Sequence, residues 1–156
     1  RTAGWPSPAR RAGTSSVTVY DNSYSPLVRF SLSNRFVMDA AVAPDNKSVA
    51  LLTIGLTDGN FESRVDLYRL DRTEEETEPD WTCPVGNNAI LDLRWTSSGI
   101  WALGESGALY CLRGRRALRL LRLRGRYLKA FSLDGDGTAS LLLGKYRAAV
   151  RRSCSP

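Results

Sequence analysis

The stretch from Val37 to Leu52, VMDAAVAPDNKSVALL, decides how this chain folds. Two apolar runs flank a short polar segment, Ala43-Pro44-Asp45-Asn46-Lys47. Proline presets the backbone φ of a turn, and asparagine tolerates a positive φ, so Pro44 and Asn46 favour a tight turn. An apolar strand, a turn and a second apolar strand together predict an antiparallel β-hairpin.

The same pattern returns twice further along the chain. ILDLRWTSSGIWAL starts at Ile90, and YLKAFSLDGDGTASLL starts at Tyr127. Each copy has an apolar pair, a polar residue, a mostly apolar stretch, a turn and a second apolar strand. The polar residues Asp39, Asp92 and Lys129 are 53 and then 37 residues apart. A period of about 40 residues with four strands in each unit is typical of β-propeller blades.

We therefore predict an all-β chain of about three antiparallel four-stranded blades in an incomplete ring, because propellers close with roughly four to eight blades. The predicted units are a flexible arm (1–16), a partial β-propeller (17–146) and a disordered tail (147–156). Within the propeller we predict an outer half-blade (17–32), full blades (36–85 and 89–124) and an inner half-blade (127–144). We favour a fragment of a longer protein over a small open β structure with exposed edges.

Two finer expectations follow from residue periodicity. Arg64 to Leu70 alternates in the period-2 pattern of a strand with two unlike faces. The tryptophans Trp81, Trp95 and Trp101 are expected to fill space between blades.

The composition removes several kinds of catalysis. The chain contains no histidine, so Ser-His and Cys-His pairs, His-ligated metals and the usual near-neutral proton shuttle are excluded. There is no G-x-S-x-G, no phosphate-cradling glycine loop and no dinucleotide fingerprint. We predict that the chain is not an enzyme and that it has no cofactor or metal.

Three cysteines, Cys83, Cys111 and Cys154, are widely spaced and form no C-x-x-C motif. Cys83 and Cys111 are expected to be buried small hydrophobes, with a disulfide between them as the alternative. No apolar run reaches the roughly 18 residues that a membrane helix needs. The first residue is Arg1, and no signal segment follows it, so any targeting segment lies outside this chain or never existed.

The net charge of +6 comes from 19 arginines and 3 lysines against 16 acidic residues. Seven arginines lie within fourteen residues, and they are the candidate anion-binding set: Arg113, Arg115, Arg116, Arg119, Arg122, Arg124 and Arg126. Such a set can neutralise phosphates of nucleic acid or of anionic lipid. The alternative is a solvated outer strand, in which the adjacent Leu120 and Leu121 indicate a bulge; a short amphipathic helix also remains open. Few aromatic residues lie nearby, which argues against single-strand binding.

Three acidic features have structural explanations. Asp134-Gly135-Asp136-Gly137 resembles a calcium loop, but the further oxygen ligands are missing, so a β-turn is preferred. The segment from Asp71 to Asp80 has a local charge of −5 and is interpreted as a solvated loop. Asp39 and Asp92 could form a carboxylate pair for acid–base chemistry, but their recurrence favours a structural hydrogen bond to a turn.

A family resemblance covers about residues 17–146. VTVYDNSYSPLVRFS, FVMDAAVAPDNKSVALLT, VDLYRLD and YLKAFSLDGDGTASLLLG resemble an uncharacterised family of bacterial propeller proteins, with blades of WD-repeat-like or quinoprotein-like type. Family members carry an amino-terminal membrane anchor ahead of an extracytoplasmic propeller. The resemblance implies a membrane-anchored protein of the cell envelope, and it brings no catalytic residues.

The functional expectation is a non-enzymatic propeller module that binds a protein or a small ligand. Its binding surface would be built from the loops 44–47, 57–63, 96–99 and 134–137. The alternative is an anion-binding module that uses the arginine set on nucleic acid or on lipid headgroups. A quinoprotein-like enzyme would need metal and cofactor residues that the sequence lacks.

Overall fold

The computed structural model describes residues 13–71, 78–86, 89–105, 107–122, 128–133, 138–143 and 146–151. In that part of the chain there are thirteen strands and no helix. In chain order the strands are β1 (Thr14–Tyr20), β2 (Pro26–Ser33), β3 (Arg35–Val42), β4 (Ser48–Thr57), β5 (Asn60–Arg69), β6 (Trp81–Gly86), β7 (Ile90–Thr96), β8 (Gly99–Gly104), β9 (Ala108–Arg113), β10 (Arg116–Arg122), β11 (Leu128–Leu133), β12 (Thr138–Leu143) and β13 (Tyr146–Arg151).

All pairings are antiparallel, and within every sheet the strand order follows the chain. β1 and β2 form a two-stranded sheet, β3 to β6 and β7 to β10 form two four-stranded sheets, and β11 to β13 form a three-stranded sheet. The predicted all-β, antiparallel class is therefore confirmed. The described strands do not close into a barrel.

The carboxyl-terminal segment differs from the predicted disordered tail at 147–156. Its described part belongs to β13, which pairs with β12 from Leu143 opposite Tyr146 to Thr138 opposite Arg151. The alternation of Tyr146, Ala148 and Val150 with Arg147, Ala149 and Arg151 is a weak period-2 signal for this strand. At the other end β1 begins at Thr14, within the segment predicted as a flexible arm at 1–16.

The turn between β3 and β4 has the predicted chemistry. Asn46 has a φ of 57°, and its N–H donates to the Ala43 carbonyl at 2.9 Å. The Asp45 carboxylate accepts the Lys47 N–H at 3.0 Å. Asparagine populates this left-handed region more readily than most residues, which explains why Asn46 stands there.

The four sheets stack in chain order, and three apolar layers separate them. The layer between the β1–β2 sheet and the β3–β6 sheet contains Val28, Phe30, Leu32, Val49, Leu51 and Tyr68. The layer between the two four-stranded sheets includes Leu52, Val65, Cys83, Ile90, Leu93 and Ala102. The layer before the last sheet contains Trp101, Leu103, Leu109, Cys111 and Phe131. Trp81 and Trp95 also pack on the middle layer, so the tryptophans fill space between sheets as expected.

Because each four-stranded sheet is covered on both sides, its central strands have no solvent face. In β5, Val65 and Asp66 are both fully buried although their side chains lie on opposite faces. The two faces still differ, as predicted for residues 64–70: Val65 and Leu67 pack in the apolar layer between the four-stranded sheets, whereas Asp66 lies on the opposite face and pairs with Arg64. Buried strands of this kind lose the polar-out alternation because there is no outside for one face to meet.

The described outward residues of the two end sheets include polar side chains. In the β1–β2 sheet, Val17 lies opposite Phe30 on the packed face, whereas Thr18 lies opposite Arg29 on the outer face. In the last sheet, Phe131 faces the apolar layer and Ser132 and Ser140 are exposed on the other side.

The three repeated hairpins share an irregularity as well as a pattern. The pairing skips Met38 in β3, Leu91 in β7 and Lys129 in β11, which are β-bulges near the start of each first strand. The fourth strand β10 has its own bulge at Leu120, as the adjacent leucines predicted. Since Arg116–Arg122 is a strand, the helical alternative for this stretch is wrong.

Candidate functional site

A buried network of charged and hydroxyl side chains lies on the face of the β3–β6 sheet that meets β1–β2. The Arg35 side chain crosses Gly55 on the neighbouring strand, where an added Cβ would lie 3.1 Å from Nη1. Its Nε donates to Thr53 Oγ1 at 2.9 Å, and its Nη1 donates to Glu62 Oε2 at 3.1 Å. Its Nη2 donates to the carbonyls of Thr53 and Glu62. The glycine at 55 leaves the space that this flat guanidinium occupies.

Asp66 is the centre of the same network and is fully buried. Its Oδ2 accepts hydrogen bonds from Thr53 Oγ1 at 3.1 Å and Arg64 Nε at 2.9 Å. Its Oδ1 accepts a hydrogen bond from Thr82 Oγ1 at 2.9 Å. A buried carboxylate is tolerated when its lone pairs are satisfied in this way.

The electrostatics of Arg35 reflect its burial. Burial lowers the pKa of Arg35, the nearby Arg64 charge lowers it further, and the Glu62 and Asp66 carboxylates oppose both effects. Arginine stays protonated in proteins despite such shifts, so Arg35 and Glu62 form an ion pair.

A cavity of about 230 Å³ opens beside this network. Its lining residues come from β2, the start of β3, β5 and the segment that leads into β6: Ser31, Leu32, Ser33, Arg35, Arg64, Tyr68, Glu78 and Pro79. Arg64 is 28% exposed at its side chain, and Nη1 and Nη2 of Arg64 donate to no group in the described ranges. The cavity is therefore lined by a cation whose Nη1 and Nη2 bond to no described residue.

The repeated aspartates Asp39 and Asp92 lie where the two four-stranded sheets meet. Asp39 Oδ1 accepts the Ala40 N–H, and Asp39 Oδ2 accepts the Leu93 N–H of β7, both at 2.8 Å. Asp39 therefore accepts a backbone hydrogen bond from a strand of the next sheet, rather than from a turn as expected. Burial raises the pKa of Asp92; the Arg94 guanidinium 3.0 Å away opposes the rise, and the Asp39 carboxylate adds to it.

In the structure, the described members of the predicted arginine set lie on different elements. Arg113 ends β9, Arg115 lies in the following turn, and Arg116 and Arg119 lie on β10; all four are exposed. The backbone of Arg122 pairs with Ala108, while the predicted members Arg124 and Arg126 lie outside the described residues. Of the described members, Arg116, Arg119 and Arg122 thus lie on β10, the edge strand of the second four-stranded sheet.

Cys83 and Cys111 lie in different apolar layers and do not pair with each other. Cys83 is a free, buried thiol, and burial raises its pKa to about 11. Cys111 is disulfide-bonded. The third cysteine, Cys154, lies outside the described residues.

Within the described ranges, no group of three or more acidic or cysteine side chains is placed to hold a metal ion. The predicted β-turn at 134–137 and the central part of the acidic loop, 72–77, lie outside those ranges. The same ranges contain no helix with the length and apolar character that a membrane crossing requires.

Reasoning from the sequence did not identify the Arg35 and Asp66 network. The available signal was a carboxylate between two apolar residues of β5, VDL at 65–67, together with an arginine and a threonine on the two preceding strands. Opposite charges on neighbouring strands often pair across a sheet face. The register that brings Thr53 beside both of them depends on the bulge in β3, which the sequence pattern does not display.

No protein-family model matches this chain, and neither the curated proteins nor the solved structures include a detectably similar one.

Proposed function

We propose that this chain is a non-enzymatic binding or scaffold module built from propeller-type blades, as part of a longer, membrane-anchored protein of the cell envelope. The observation that carries the proposal is the repetition of sheets in chain order, stacked face to face through apolar layers. First strand β3 contacts first strand β7, and fourth strand β6 contacts fourth strand β10. Equivalent strands lie beside each other in the stacked blades of a propeller.

This arrangement collects turns at one end of the stack. Because β6 ends at Gly86 and β7 begins at Ile90, β7 starts at the end of the stack where β6 finishes and runs in the direction of β3; the turns at 43–47, 97–98 and 114–115 then share one end, which we term the upper end. Of the loops expected to bind, 44–47 and 96–99 lie there, whereas the turn at 58–59 lies at the opposite end. Loops on a rigid scaffold carry binding functions because they vary without disturbing the core.

The disulfide at Cys111 supports the proposed compartment. Disulfides persist in the bacterial periplasm and outside cells, and they are rare in the reducing cytosol. An envelope location therefore agrees with the chemistry of this cysteine, as it does with the family resemblance.

Site-specific photo-crosslinking tests the binding proposal. A benzoylphenylalanine at the exposed Ser97 probes the upper end, and one at the exposed Asn60 probes the opposite end. We expect a discrete crosslinked product with intact envelope material from Ser97 and none from Asn60. Absence of a product from both positions would contradict a binding module of this geometry.

One observation favours a second function, the binding of polyanions. Arg115, Arg116 and Arg119 are exposed and form no ion pair within the described part of the chain. Binding through such residues weakens with salt, with a logarithmic slope of roughly 0.7 for each single-strand phosphate contacted. Fluorescence anisotropy with a random-sequence oligonucleotide measures that slope. A triple substitution of these arginines by Gln should abolish oligonucleotide binding, whereas Arg29→Gln should leave it unchanged. If the wild-type chain does not bind the oligonucleotide even at low salt, this function is eliminated.

A further inference from the structure

The first sheet of the stack has an unpaired edge. Asn34 donates its N–H to the Gly13 carbonyl at 2.8 Å, which continues the β1–β2 ladder. In antiparallel pairs, successive residues alternate between facing the partner and facing away from it. Counting back from Asn34, the N–H and C=O groups of Ser33, Ser31 and Arg29 point away from β1. Within the described ranges, these outward N–H groups donate to no acceptor.

In the two four-stranded sheets, the edges of the first strands, β3 and β7, are protected from pairing with a further strand. The outward N–H groups of Ala40 on β3 and Leu93 on β7 both donate to the Asp39 carboxylate. That carboxylate blocks both edges to a further strand, which is a known protection against edge pairing. No described side chain protects the edge of β2 in this way.

The edge of β2 also borders an open space. The first sheet has two strands where the next two sheets have four each. The β1–β2 hairpin packs over residues of β3, β4 and β5, namely Val37, Val49, Leu51 and Tyr68. On the same face of β6, Thr82 is only half-buried and Pro84 is exposed. Among the described strands, none lies beside β2 above β5 and β6.

The cavity of about 230 Å³ lies in that place, and it determines which strand would fit. One wall contains Ser31, Leu32 and Ser33, and the floor contains Arg64 with its two amino groups unbonded in the described ranges. Arg35 also lines the cavity, but its guanidinium is already paired with Glu62. Glu78 and Pro79 also line the cavity. A carboxylate can accept both Arg64 amino hydrogens in a bidentate pair.

We propose that β2 is a docking edge for an extended segment of a partner protein, which adds as a strand and places an acidic side chain on Arg64. Main-chain hydrogen bonds to Ser31 and Ser33 provide the affinity, and the Arg64 contact selects an acidic residue, as in other complexes formed by strand addition. This site lies on the side of the stack and is separate from the upper end. If the test of the β2 site fails, the proposed binding function at the upper end is therefore unaffected.

A pair of capped peptides tests the inference. Both match the 8 residues of β2 and alternate Thr with Val; one carries a central Glu and its twin carries Gln. We expect the Glu peptide to bind the full chain about tenfold more tightly than the Gln peptide. In Arg64→Gln this preference should disappear, while Arg29→Gln, on the outer face of β2, should retain it. Equal affinity of the two peptides, or no binding of either, would overturn the proposal.

A backbone substitution tests the strand geometry itself. Ser31→Pro removes an N–H that points away from β1, so the β1–β2 ladder survives, as it does at natural edge prolines. We expect this variant to unfold at the same temperature as Ser31→Ala yet to bind the Glu peptide at least tenfold more weakly. If Ser31→Pro binds as Ser31→Ala does, the edge is not the site. If light scattering instead shows a dimer that Ser31→Pro abolishes, a second copy occupies the edge and the proposal is wrong.

Discussion

At the scale of single residues, the buried charges of the β3–β6 sheet show how a polar group can be placed between two packed sheets. Asp66 has three hydrogen-bond donors around it, and Arg35 bonds to two neighbouring strands. Such pairs add little net stability compared with apolar packing, but breaking one leaves an uncompensated charge. They therefore specify how the strands align more than they strengthen the sheet.

Asp66→Ala should destabilise the fold by about 3–5 kcal/mol, because it leaves Arg64 and the hydroxyls of Thr53 and Thr82 without their acceptor. Urea unfolding followed by circular dichroism measures the change. Asp71→Ala is the matched control, since its carboxylate is 72% exposed and should change stability by no more than about 0.5 kcal/mol. A loss below about 1 kcal/mol for Asp66→Ala would contradict the buried network.

Cys83 should be inert towards thiol reagents in the folded protein. Burial in the layer between the four-stranded sheets raises its pKa to about 11, so the reactive thiolate is scarce near pH 8. Ellman's reagent should titrate this thiol only after denaturation, at the rate of global unfolding. Fast reaction in native buffer would show that the layer opens locally.

At the scale of strands and sheets, the Asp39 carboxylate connects two sheets through their backbones. It satisfies one N–H on β3 and one on β7, and it lies next to the Asp92 carboxylate. The periodicity of the sequence identified both aspartates as equivalent positions. The periodicity did not distinguish the roles of Asp39 and Asp92, because each role depends on which backbone groups of the next sheet lie beside the carboxylate. The bulge at Leu120 was predictable because two adjacent leucines break an alternation.

The pH dependence of stability should reveal Asp92. Its pKa is raised above the ordinary 3.8 in the folded state, so the folded chain holds this proton more tightly than the unfolded chain. The contribution of Asp92 to stability is therefore largest below pH 3.8 and is lost as pH rises through the folded-state pKa. In Asp92→Asn, the unfolding free energy relative to the wild type should increase across this window. A difference that is independent of pH would contradict the shift.

At the scale of the whole molecule, the described sheets form a stack in which each sheet packs on its neighbours in sequence. The all-β class and most strand positions could be predicted from the sequence, since turn residues and apolar runs are local signals. The burial of both faces of β5 and the strand at Tyr146–Arg151 could not. Burial depends on which sheets cover which, and the short final strand offers only three alternating positions as a signal.

Trp101→Ala should weaken the stack unevenly. Trp101 is fully buried between the second four-stranded sheet and the last sheet, and the substitution should cost about 3–5 kcal/mol. In a stack with nearest-neighbour coupling, protection from hydrogen exchange should fall most in β7 to β13 and least in β1 and β2. Tyr24→Ala, at a side chain that is 87% exposed, is the control. Equal loss of protection in all sheets would show that the stack unfolds as one unit.

The order of strands within each sheet has a consequence for biosynthesis. Since no described strand inserts between two that precede it, every sheet is complete once its last strand has left the ribosome. Most contacts are therefore made between segments close in the chain, which favours rapid folding for a β protein. A nascent chain stalled after β6 should already contain the β3–β6 sheet. The apolar face of that sheet that later packs on β7 to β10 is still exposed at this stage, so a chaperone would bind to it for as long as translation is paused.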